Sequence, residues 1–103
     1  MTSIFHIVVY SDWQAQQNAD YYQADSLATE GFIHCSDQHQ TDGVVERYYA
    51  NVPQLILLEI NPALLEAELK YELAPSGEEF PHVFGKINRS AIINITSFER
   101  KKD

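Results

Sequence analysis

One cysteine, Cys35, leaves the chain without a partner for an intrachain disulfide. That usage fits a reducing cytoplasm. Glycine is almost as scarce: the four present are not spaced as a phosphate-cradling loop or a dinucleotide fingerprint. Positive charge is short too, with seven Lys and Arg against fifteen Asp and Glu, a formal net charge of −8. Grip on a duplex backbone needs clustered Lys and Arg, so DNA is set aside as a partner. The basic cluster Arg100-Lys101-Lys102 reads as a solvated tail. No apolar run approaches the roughly 20 residues that span a bilayer, so no membrane partner is expected. Met1-Thr2-Ser3 leads straight into a strand pattern, without the form of a secretory signal.

What remains is 45% apolar and 12% aromatic, which suits one packed domain over residues 1–103. Ile4 to Tyr10 reads as a strand, central because both its faces are apolar. Ser11-Asp12-Trp13-Gln14 has the form of a capping box opening a helix to about Ala19. Tyr21 to Thr29 is polar and irregular, with one helical turn near Ser26. Gly31 to Cys35 is a second strand, after which Ser36-Asp37 caps a helix that Val44, Val45, Tyr48 and Tyr49 carry to about Asn51. Gln54 to Ile60 is the strongest buried-strand pattern. Asn61-Pro62 opens a single turn through Leu65. Glu68 to Leu73 alternates as a strand with one wet face, and Pro75-Ser76-Gly77 is a turn ahead of the His82 segment. A short turn over Asn88 to Ala91 precedes a last strand, Ile92 to Phe98. The sum is an α+β domain of five or six strands and two main helices, its sheet mostly antiparallel or mixed.

Three of the four histidines lie inside apolar runs: His6 in Ile4 to Val9, His34 in Gly31 to Ser36, His82 in Phe80 to Gly85. An imidazole is costly to bury unless both nitrogens find partners. Three on strands suggest polar groups aimed from a rigid sheet into one cleft. His39 reads as exposed and idle, and no metal is expected because the cysteine and histidines lack zinc-site spacing. By strand alternation His6 shares a face with Ile4, Val8 and Tyr10. His34 likewise shares one with Phe32 and Ser36, while Cys35 turns inward with Ile33 as a buried hydrophobe. Ser36 can cap the following helix or donate to a ligand. Aromatic neighbours could stack a nucleobase or nicotinamide. Of these, Phe32 and Phe84 read as core, and at least one of Tyr21 and Tyr22 as exposed.

Phe5-His6-Ile7, Trp13, Ser26 to Ser36 (SLATEGFIHCS), Leu57-Leu58-Glu59-Ile60 and Phe80-Pro81-His82-Val83-Phe84-Gly85 occur in an order that resembles the bacterial family called domain of unknown function 952. The resemblance covers nearly the whole chain. It implies the ADP-ribosylation fold, a split and strongly bent β-sheet whose cleft takes NAD in active relatives. Within that superfamily the chain is similar to the histidine–histidine branch that includes the RNA 2′-phosphotransferases. The resemblance places His6 and His34 on the ribose of a bound NAD, with Thr29, Ser36 and Tyr22 as further ligand contacts. His82, at the cleft rim, is the candidate for proton transfer. The chain departs from the RNA enzymes in its arginines: Arg47, Arg89 and Arg100 lie outside the motifs, which sets RNA aside. The implied ligand is a small nucleotide, NAD serving as substrate whose ADP-ribose part is transferred or hydrolysed. The other reading is a ligand-binding or regulatory module without chemistry.

Overall fold

A computed structural model describes residues 2–99, so the basic tail at residues 100–102 lies outside the described residues. Strand β1 (Ile4–Val9) runs into helix α1 (Tyr10–Ala15), then β2 (Tyr21–Tyr22) and α2 (Asp25–Glu30). Two short strands follow, β3 (Ile33–His34) and β4 (Ser36–Asp37), and then a 3₁₀ turn at Gln38–Gln40 and α3 (Thr41–Tyr48). The second half is β5 (Gln54–Ile60), β6 (Glu68–Leu73), β7 (Glu79–Phe84), β8 (Ile87–Asn88) and β9 (Ile92–Glu99), with 3₁₀ turns at Pro62–Leu64 and Arg89–Ala91.

The strands form three sheets: β4-β1-β5-β9, β3-β7-β6, and the pair β2-β8. Every pairing among the described residues is antiparallel, so the mixed sheet held open by the sequence does not occur among them. β1 lies between β4 and β5 as its two apolar faces require. On one face Ile4 and Val8 join Ile56, Leu58 and Ile60 in the main core; on the other Ile7 packs with Leu55 and Val45 of α3.

Sequence and structure part company mainly at short elements. α1 starts at Tyr10 and no side chain caps it; the capping box lies at Asp37 and Gln40, where each side chain meets the other's backbone. Asp37, not Ser36, is therefore the cap. Ser36 is buried, its hydroxyl 3.4 Å from that of Thr41. The segment around Ser26 is a full helix, α2, making three α-helices among the described residues rather than two. Its end needs Gly31, whose left-handed φ of 90° lets its N–H reach the Ser26 and Leu27 carbonyls. The chain then changes sheets at Cys35, whose N–H donates to the Pro81 carbonyl at 3.0 Å. Strict alternation cannot survive that change, so His34 is exposed while Ser36 is buried.

Candidate functional site

The histidines fall into two settings. His6 is 6% exposed. Its Nδ1 lies 2.6 Å from the His34 carbonyl and its Nε2 2.8 Å from the Tyr22 hydroxyl. A carbonyl only accepts, so Nδ1 carries the proton and Nε2 accepts from Tyr22. Burial holds the ring neutral, lowering its pKa to about 4; the bond to the His34 carbonyl opposes that shift only in part. Tyr22 is 2% exposed and its ring packs on both His6 and Trp13, with centroid distances of 5.2 and 5.7 Å. The Arg89 guanidinium closes this stack, 4.5 Å from the Trp13 ring, while donating to the Gln16 and Ala19 carbonyls. Neither His6 nor Tyr22 reaches a surface where a ligand could touch it. The convergence expected of three histidines is found for only two.

Those two are His34 and His82. They are paired directly across β3 and β7, and Lys70 of β6 sits opposite His82 in the same row. The Pro75 to Gly77 turn sets that register by closing Ala74 onto Glu78. The imidazole centroids are 5.3 Å apart with the planes at 76°. Phe32 stacks on His82 at 4.1 Å and 15°, meets His34 edge-on at 4.8 Å, and touches Phe84 at 5.4 Å. Phe32 and Phe84, read from sequence as core, are thus half-buried rings on the wet face of the small sheet. The core contacts of this sheet come from the opposite face, through Ile33, Val83 and Leu69.

Each surface imidazole holds a carboxylate. His34 Nε2 is 3.1 Å from Glu30, one turn back at the end of α2; His82 Nδ1 is 2.7 Å from Glu72 on β6. Carboxylates accept, so the protons sit on His34 Nε2 and His82 Nδ1, leaving lone pairs on His34 Nδ1 and His82 Nε2. The side chain of His34 is 53% exposed and that of His82 14%. The arrangement offers two imidazoles, each oriented by a carboxylate, on an aromatic floor. Sequence reasoning missed both carboxylates. Glu72 was on the wet side of a predicted strand, and counting back from the turn sets it diagonal to His82. Glu30 meets His34 only because α2 ends at Gly31.

Of the other ligand candidates, Thr29 is exposed on α2, its hydroxyl 3.4 Å from the Asp25 carbonyl, whereas Ser36 and Tyr22 are enclosed. Tyr21 is the exposed member of its pair and donates to Glu66. Cys35 is buried, and desolvation pushes its thiol up to about 12, which denies it a thiolate near neutrality. An open surface hollow of about 730 Å³ is lined by Thr2, Asp37, Gln38, His39 and Tyr71. Its Tyr71 hydroxyl donates to Asp37 at 2.7 Å, and burial with that bond raises the phenol to about 12. The phenol stays protonated and spent on Asp37, so the histidine face is the better candidate for chemistry. Among the described residues, no three of His, Cys, Asp and Glu are placed to hold a metal ion.

A family model described as a protein of unknown function, DUF952, matches residues 7–95. The chain belongs to the DUF952 family. That match takes in α2, the β3–β4 crossing and all of β7, the elements that build the histidine face. The fold is shared with protein CC0527 from Caulobacter crescentus. Its crystal structure superposes with a TM-score of 0.88 at 23% identity, over 99% of this chain and 90% of that one. A double mutant of CC0527 gives the same TM-score at 22% identity and the same coverage. The solution structure gives 0.83 at 24%, over 98% and 88%. At this identity the likeness is one of fold. No curated protein matches. No helix of the described residues is long and apolar enough to cross a membrane.

Proposed function

We propose that this DUF952 protein is a cytoplasmic member of the ADP-ribosyltransferase-like superfamily that binds NAD or a related nucleotide on the Phe32–His34–His82 face and transfers or hydrolyses its ADP-ribose part. The supporting observation is the pair of carboxylate-held imidazoles 5.3 Å apart on half-buried aromatic rings. A carboxylate that fixes the tautomer of a histidine also stabilises the imidazolium formed when its other nitrogen takes a proton. In hydrolysis the glycosidic bond breaks and its electron pair leaves with the nicotinamide, which departs neutral. A bond forms from water oxygen to the anomeric carbon, and His82 Nε2 takes the water's proton. In transfer an acceptor hydroxyl replaces the water. His34 Nδ1 would take a ribose hydroxyl, and the exposed Thr29 hydroxyl on α2 is a further candidate contact. The face carries Lys70 against Glu30, Glu68 and Glu72, so it suits the flat, cationic nicotinamide ring better than the phosphates.

The openness of the face favours a second reading, a binding module without turnover, because a half-exposed His34 excludes little water from the reacting atoms. Titration of the protein with NAD, ADP-ribose and nicotinamide, followed by NMR, tests both. Shifts confined to Phe32, His34, His82 and their neighbours are expected at millimolar ligand, and silence from all three compounds ends the proposal. NAD consumed by wild type but not by His82→Ala marks the enzyme. Binding without consumption marks the module.

A further inference from the structure

His6 was expected to touch a ligand, and its burial denies it that role. Its bonds suggest another. The residue stands on β1 of the four-stranded sheet, accepts from Tyr22 on β2 of the two-stranded sheet, and donates to the carbonyl of His34 on β3 of the three-stranded sheet. One buried side chain therefore ties all three sheets together. The carbonyl it holds belongs to a residue of the candidate site.

We infer that His6 is a positioning residue, whose Nδ1–H fixes the His34 backbone and thereby the angle at which the His34 ring meets His82. β3 is two residues long and leaves its sheet at Cys35, so few ladder bonds restrain it. Its main-chain partners across β7 are His82 and Val83, with the Cys35 N–H on Pro81 just beyond. The bond from His6 approaches from the opposite sheet and restrains the same peptide from the other side. Side chains held by such supporting contacts keep their geometry more tightly than those resting on short loops. The inference concerns the site's geometry and holds whichever ligand the face takes.

Two isosteric substitutions separate the bonds. An Asn amide nitrogen reaches the place of Nδ1, and a Gln amide oxygen reaches that of Nε2. His6→Asn should thus keep the bond to the His34 carbonyl and lose Tyr22, whereas His6→Gln should do the reverse. NMR on the full chain reads the result through the cross-relaxation between the His34 and His82 rings and through their ring proton shifts. We expect His6→Asn and Tyr22→Phe to retain the ring-to-ring signal and His6→Gln to lose at least half of it. Equal signals in His6→Asn and His6→Gln overturn the inference. Should neither variant fold, the ring nitrogen shifts of wild-type His6 decide. A proton on Nδ1 supports the bond, and a proton on Nε2 overturns it.

Discussion

His6 and the His34–His82 pair are the same side chain in two surroundings, and the contrast shows what sets an imidazole's role. Inside, both nitrogens of His6 are spent on protein groups and desolvation keeps the ring neutral well below its ordinary range. On the small sheet, each ring spends one nitrogen on a glutamate and keeps the lone pair of the other. A ring satisfied on both sides can only hold structure. A ring satisfied on one side is oriented and still free to exchange a proton.

The contrast can be broken from underneath. Ile33 is fully buried and pairs with Val83 directly beneath the histidine row. Ile33→Ala should cost about 2–5 kcal/mol in urea denaturation, through lost transfer energy and the cavity left behind. Acid should act next most strongly, through His6. With a folded pKa near 4 against 6.5 unfolded, the unfolded chain binds the extra proton between those values. Stability is therefore whole above about pH 6.5 and falls, by an amount on the order of 3 kcal/mol from this group, as pH drops to about 4. Denaturation curves across that window should show the slope, and His6→Gln should flatten it. Tyr22→Phe strands the His6 Nε2 lone pair in the core and should cost about 1–3 kcal/mol, leaving the surface rings in place. The smallest effect on stability belongs to the face. Glu72→Gln should change it by less than about 1 kcal/mol, since the pair is partly exposed, while weakening any ligand seen in the NMR titration severalfold. A larger loss of stability than of binding would mean that His82 and Glu72 form a strut rather than a site.

The long elements were legible in the chain. Gln54 to Ile60 and Glu68 to Leu73 are strands at the residues their patterns predict, and Asn61 caps the turn at Pro62 through the Ala63 N–H. Cys35 was legible as a buried hydrophobe and His39 as an exposed side chain. The two-residue strands β2, β4 and β8 were not, because no periodicity can show in two residues. Tyr22 therefore could not be seen facing His6 from another sheet, nor Ser36 turning inward after the change of sheet.

Apolar alternation and turn residues, which act over a few neighbours, were enough to determine strands, hairpin register and an α+β domain. They also brought His82, Lys70 and Glu72 onto one wet face, since a tight turn leaves antiparallel partners little choice. Which histidine would be sealed and which left to water depended on contacts between residues 16 and 28 positions apart in the chain. Only the packing of three sheets against one another could decide that, because desolvation is a property of everything around a group and not of its neighbours in sequence.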